Sequence, residues 1–319
     1  MPFSRVIGQE TPVDVLRRAL RSGKMAHAYL FEGIAGCGKG TTALAFVEAA
    51  FCGRDDGCGA CPACRKMATL QHPDLHRLEP DGAFIKIDQI RDLQRELVLR
   101  PVEASVKACI IRDADRLNPS AANALLKTLE EPPGNALLIL LTTNLDGVLQ
   151  TVRSRCQLLR FAPLPEQVIE NHLITIGQDP AAARLAASLA GGSLGTALEE
   201  GDEGAAGRVD LLELLRTISL NYVAPLFTAA EDMAADREQA MEKLNVLATL
   251  LRDLLLIQGG SNDVVNRDLL PRLEETAASQ TQEKTLERIG HVMEARRALS
   301  RNANPRLTLD LLLMRLAAH

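Results

Sequence analysis

Gly33-Ile34-Ala35-Gly36-Cys37-Gly38-Lys39-Gly40 is the stretch that decides the fold. It follows the apolar run Ala28–Phe31 and precedes a segment, 39–51, whose apolar residues recur at helical spacing. A strand, a glycine-rich loop and a helix are the setting of a phosphate-binding loop of the form Gly-x4-Gly-Lys-Ser/Thr. In such a loop the glycines let backbone N–H groups close around phosphates, the lysine reaches the β/γ-phosphates, and the last hydroxyl holds Mg²⁺. Gly33, Gly36, Gly38 and Lys39 satisfy that pattern, but Gly40 stands where the hydroxyl belongs. Thr41 follows, rotated by about 100° around a helix axis, so it is no simple substitute.

Working outward, 11–23 reads as a helix with Thr11 as its cap and Pro12 in its first turn. Beyond the loop and a polar segment, Asp88–Leu99 reads as a helix stopped by Pro101. Val106–Ile111 reads as a buried strand, Ser120–Glu131 as a helix ended by Pro132-Pro133-Gly134, and Ala136–Leu141 and Cys156–Phe161 as strands. Strands separated by helices predict a parallel α/β sheet. After Pro163-Leu164-Pro165 only helical patterns remain, broken near Gly191-Gly192. The expected division is 1–163 for the nucleotide-binding-like domain, 164–204 for a small helical domain and 205–319 for a larger all-α domain. A chain of 319 residues is long enough for two or three domains.

Four of the seven cysteines, Cys52, Cys58, Cys61 and Cys64, fall within thirteen positions. Placed on one loop, they predict a closed tetrahedral Zn²⁺ site of structural type in the module 52–64. A reducing cytosol disfavours the disulfide alternative, and unpaired thiols are the plain one. The net charge of −5 and 3% aromatic content, with no Trp, oppose a strong stand-alone nucleic-acid binder or base-stacking platform. The first residues carry no apolar signal segment, and no apolar run approaches a membrane span, so a cytoplasmic protein is expected.

Three positions depart from what a hydrolysing site needs. Gly40 is the first. In Cys109-Ile110-Ile111-Arg112-Asp113, Arg112 sits where a buried strand should end in an Mg²⁺-binding acid, and a guanidinium offers that ion no oxygen. Asp113 matches the carboxylate that activates water. In the alternative register it is the metal ligand, and Ala114 replaces the catalytic acid. The third departure is Thr196, described below.

The order of motifs resembles the bacterial clamp-loader AAA+ subunits of DNA polymerase III. These are the glycine loop, the cysteine cluster, His72-Pro73-Asp74, the run Asn123–Pro133 containing Leu129-Glu130-Glu131-Pro132-Pro133, and Ser154-Arg155-Cys156. The run Arg296–Leu307 resembles the collar of delta-prime members of that family rather than of tau/gamma members. The resemblance implies an α/β AAA+ fold, with a RecA-like parallel sheet of the P-loop NTPase type, a helical lid and an all-α collar. It implies a hetero-pentamer with tau/gamma and delta subunits that places a sliding clamp on primed DNA. It implies that Arg155 is an arginine finger acting in a neighbour's ATP site, and that Asn144 occupies the sensor position that orients attacking water. Thr196 stands where related subunits often carry a sensor arginine. A largely non-hydrolysing subunit is the expectation, with ATP or ADP binding by Lys39 and its loop left open against a solvated lysine. A tau/gamma-like ATPase motor and a zinc-stabilised DNA-binding module are the competing readings. Arg91, Arg95 and Arg100 either face DNA phosphates or form a solvated helix surface.

Overall fold

The computed structural model describes residues 2–318 except 55, 200–201, 219–222, 234–236, 262 and 302. Asn302 of the collar-like run and His319 thus lie outside the described residues. The chain forms two compact units, Met1–Ile169 with Gly191–Gly195, and Glu170–Ala190 with Thr196–His319.

The first unit runs α1 (Glu10–Ser22), β1 (Ala28–Glu32), α2 (Lys39–Cys52), α3 (Pro62–Ala68), β2 (Leu75–Leu78), α4 (Ile87–Val98), β3 (Lys107–Ile111), α5 (Pro119–Glu130), β4 (Ala136–Thr142), α6 (Gln150–Arg153) and β5 (Gln157–Arg160). All strand pairs are parallel, in the order β2-β3-β4-β1-β5, with Leu30 opposite Leu140 and Ile111 also opposite Leu140. β3 and β4 are buried along their whole length, as a parallel sheet covered on both faces requires. The two-residue period splits β1 between two cores. Tyr29 and Phe31 pack with Phe46 and Val47 of α2, whereas Ala28 and Leu30 join Leu93, Leu125 and Leu138 on the other face. The expected parallel α/β sheet, with a glycine-rich loop between its first strand and helix, is present.

Local differences have local causes. α1 begins at Glu10, with Gln9 at its cap position and no side-chain cap bond, so Thr11 lies inside the first turn. Gln9 is buried instead and spans from the Cys37 carbonyl (3.0 Å) to the Ala162 carbonyl (2.7 Å). β2 lies inside the segment read as merely polar: Leu-His-Arg-Leu is short and only partly buried, so its alternation is faint. α5 starts as its chemistry dictates, with the Asn118 side chain accepting from Ala121 N at 2.7 Å and Pro119 in the first turn.

The remaining helices are α7 (Glu166–Thr175), α8 (Pro180–Leu189), α9 (Leu194–Glu199), α10 (Asp202–Thr217), α11 (Val223–Met233), α12 (Arg237–Gln258), α13 (Leu270–Ala278), α14 (Gln282–Ser300) and α15 (Pro305–Ala318). The second unit is centred on α12, whose Leu244, Leu247, Leu251 and Leu254 form one buried stripe. Asn304 caps α15 through Leu307 N at 3.2 Å. Leu309, Leu312, Leu313 and Leu316 of α15 are buried in this core, while Leu307, Leu311 and Met314 stay exposed. Arg288, also buried, donates to the Leu215 and Leu316 carbonyls at 3.1 Å each, satisfying acceptors near the C-terminal ends of α10 and α15. No helix of the described residues is long and apolar enough to cross a membrane.

Candidate phosphate-binding site and cysteine cluster

The glycine-rich loop leaves β1 and enters α2, as the spacing predicts. Gly33 N donates to Thr142 O at 3.3 Å, tying the loop to the end of β4. Gly36 and Gly38 adopt positive φ (68° and 101°), where an L side chain is strained. At Gly36 a Cβ would also meet Ser193 Oγ at 2.1 Å and Gly195 N at 2.9 Å, so the strand-to-helix loop packs closely against Ser193 and the first residues of α9.

Lys39 is buried, not solvated. Its ammonium donates to the Gly33 carbonyl at 2.7 Å and the Ile34 carbonyl at 2.6 Å. Burial pulls its pKa below the ordinary lysine value, against the fields of Cys37, Asp113, Asp115 and Glu32. Gly40 is exposed on the first turn of α2, and a Cβ there would meet nothing within 4 Å. Space for a hydroxyl exists; the hydroxyl does not. Thr41 is exposed, while Thr42 turns inward and donates to Gly38 O at 2.8 Å.

Arg112 follows β3 and turns outward, 3.4 Å from the Glu79 carboxylate. It leaves no oxygen ligand at the position where a metal-binding acid is expected. Asp113 takes a left-handed backbone (φ 51°), and burial followed by the Asp115 charge pushes its carboxyl pKa up. Asp115 accepts from Thr142 Oγ1 at 2.6 Å, linking the ends of β3 and β4. Its only sequence signal is its position two residues past Asp113. Asn144 is half-buried, its side chain accepting from Gly147 N at 3.3 Å. Thr196 is half-buried on α9 and belongs to the second unit.

Arg155 sits just after α6, 36% exposed at its side chain. Nη1 donates to Thr151 O (3.0 Å) and Ser154 Oγ (3.3 Å), and Nη2 lies 2.6 Å from Glu130 Oε1 at the end of α5. Among the other arginines raised by the sequence, Arg91 pairs with Asp88 and Arg95 with Asp92 along α4. Such exposed pairs on one helix fit a solvated surface. Arg100 is exposed, with no ion pair among the described residues.

The four cysteines are not on one loop. Cys52 ends α2, Cys58 lies in the connection, Cys61 caps α3 and Cys64 lies within it. Their sulfurs lie within 4.8 Å of one another, with Cys52–Cys61 at 3.8 Å and Cys58–Cys64 at 3.9 Å. Four ligands about 2.3 Å from one metal ion form a tetrahedron whose edge is about 3.8 Å, so these spacings fit. Backbone N–H groups of Ala60 and Cys61 pull the Cys58 thiol down to about 6, and burial pushes Cys64 up to about 12. His72 packs on Phe51, ring centroids 4.3 Å apart, and its Nδ1 accepts from Asp74 N; it lies outside the four-sulfur cluster. Cys37 and Cys109 are buried and Cys156 is half-buried; none belongs to the cluster.

Residues 8–165 match the family described as DNA polymerase III, delta subunit, and residues 207–318 match DNA polymerase III, delta subunit, C terminal. The chain is 34% identical to the DNA polymerase III subunit delta' of Bacillus subtilis (strain 168), covering 93% of this chain and 92% of that one. It is 33% identical to the subunit delta' of Escherichia coli (strain K12), covering 90% and 86%. Similarity to the DNA polymerase III subunit tau of Bacillus subtilis (33% identical) spans 79% of this chain but 48% of tau.

Proposed function

The chain belongs to the DNA polymerase III delta-prime family, and from that membership we propose that it is a clamp-loader subunit that completes a neighbour's ATP site without turning over ATP itself. The observation carrying this reading is the pair of missing metal ligands at its own loop. Gly40 has no hydroxyl, and Arg112 replaces an acid and faces Glu79. Mg²⁺ requires oxygen donors, and phosphoryl transfer requires the metal together with positioned charge. Thr196, in place of a sensor arginine, removes one more positive charge.

Arg155 supplies the positive work. Its guanidinium is accessible and carries the planar fork that matches phosphate oxygens. Facing a neighbour's γ-phosphate, it stabilises the charge that develops during transfer. In this reading 164–204 forms the lid and 205–319 the collar that joins tau/gamma and delta subunits in a hetero-pentamer. The complex then opens the sliding clamp and loads it on primed DNA in the cytoplasm. Zinc is the metal proposed for Cys52, Cys58, Cys61 and Cys64. With all four positions filled by sulfur it holds α2, the 53–60 connection and α3 together and takes no part in chemistry.

The tau/gamma-like motor is the second reading. Similarity to tau over 79% of the chain favours it, and the missing metal ligands oppose it. The deciding experiment reconstitutes the complex with Arg155→Ala. An exposed pair such as Arg155–Glu130 contributes at most about 1 kcal/mol to folding, so the variant folds and assembles. Turnover at the one site that Arg155 completes should fall by about 10³-fold or more, and clamp loading should slow, while the isolated wild-type chain hydrolyses no ATP above background. Wild-type rates in the mutant complex, or Lys39-dependent turnover by the isolated chain, would overturn the reading.

A further inference from the structure

We propose that Glu130 is the positioning residue for Arg155, so that two separate sequence motifs form one device. The inference rests on the reading of Arg155 as a finger. Glu130 belongs to the Leu129-Glu130-Glu131-Pro132-Pro133 run and Arg155 to Ser154-Arg155-Cys156, twenty-five residues apart. Neither α5 nor the sheet buries an acid at this point: Glu130 and Glu131 are both exposed. Yet the Glu130 carboxylate lies 2.6 Å from Arg155 Nη2, a close ion pair between two separate helices' ends.

The geometry fixes the guanidinium without consuming it. Thr151 O and Ser154 Oγ accept from Nη1, and the Glu130 carboxylate forms an ion pair with Nη2. Arginine has five N–H donors, and its hydrogen bonds to Thr151 and Ser154 engage Nη1 alone, so the Nε–H and the Nη2 hydrogens stay available for a phosphate oxygen. A free arginine side chain loses considerable rotamer freedom when it docks, and three anchors on its own chain remove much of that loss beforehand. α5 carries Glu130 and α6 leads directly into Arg155. A shift of α5 against α6 would therefore move the finger.

The test is Glu130→Gln in the reconstituted complex, beside Arg155→Ala and the double variant. Gln keeps the shape and an acceptor oxygen but removes the charge. The turnover number for ATP should fall roughly two- to fivefold, in the range of an exposed charge pair, with KM unchanged because the finger acts on the transition state. The double variant should match Arg155→Ala alone, and Glu130→Asp should recover part of the loss. Thermal unfolding of the Glu130→Gln chain should match wild type. A wild-type or raised rate with Glu130→Gln overturns the inference, as does an equal loss when Arg155 is already absent. An unaffected Arg155→Ala complex removes the finger reading itself.

Discussion

Lys39 Nζ lies 2.7 Å from the Gly33 carbonyl oxygen, so the cation of the glycine-rich motif is satisfied by the loop it belongs to. A nucleotide must exchange that bond, and the one to Ile34, for its own oxygens. Mg²⁺ would normally add to the exchange by bridging phosphate oxygens to a hydroxyl and an acid.

With Gly40 and Arg112 in those places, whatever nucleotide affinity the isolated chain has should be indifferent to Mg²⁺. Titrating ATP by fluorescence or calorimetry with Mg²⁺ and with chelator should give dissociation constants within about twofold of each other, a difference under about 0.4 kcal/mol. Gly40→Thr combined with Arg112→Asp should make binding tighter with Mg²⁺ than without, because a side chain at Gly40 meets open space. Strong Mg²⁺ enhancement in the wild-type chain would show that Asp113 or Asp115 supplies ligands after all.

The cysteine cluster offers a substitution that separates metal from helix capping. Cys61 Sγ accepts from Cys64 N at 3.5 Å and so caps α3 as well as facing the other thiols. Serine is a good cap and a poor zinc ligand at this geometry. Cys61→Ser should therefore lower zinc content from one ion per chain to well below one while keeping α3 capped. Loss of folding free energy of about 2 kcal/mol or more would then report the metal. A strong chelator should lower the wild-type unfolding midpoint and leave Cys61→Ser unchanged. Equal stability with full zinc in the variant would remove Cys61 from the site.

How much of this was legible beforehand differs by element. β1, β3 and β4 announced themselves as apolar runs between helix patterns, and the glycine loop placed the first βα turn. The thiols were visible as a spacing, but α3 was not, because a seven-residue helix inside a cysteine run shows little periodicity. β2 hid for a similar reason. The link between Glu130 and Arg155 joins residues from two elements, and no local pattern encodes it. The same holds for Lys39: the motif names the residue, but its direction depends on whether carbonyls of the closed loop are nearer than solvent.

Asp74 shows the same long-range character, and its chemistry makes acid the test. The residue is fully buried after His72-Pro73. Its carboxylate accepts from Val102 N at 2.7 Å and from Glu103 N and Ala104 N at 2.8 Å each, holding the turn between α4 and β3. Burial alone would raise its pKa, but the N–H groups of Ala104, Val102 and Glu103 outweigh it and hold the carboxyl below the ordinary aspartate value. A depressed folded pKa means that the anion binds the fold better than the acid does. Its contribution is fully present above the unfolded value of about 3.9 and is lost as pH falls through the lower folded value. Asp74→Asn keeps one acceptor oxygen but turns an NH₂ group toward a backbone N–H, and should cost about 2–4 kcal/mol at neutral pH. Denaturant unfolding from pH 7 to pH 3 should show the wild-type chain losing its margin over Asp74→Asn only below about pH 4. A margin that stays constant across that range would mean that the Asp74 charge does not anchor the turn.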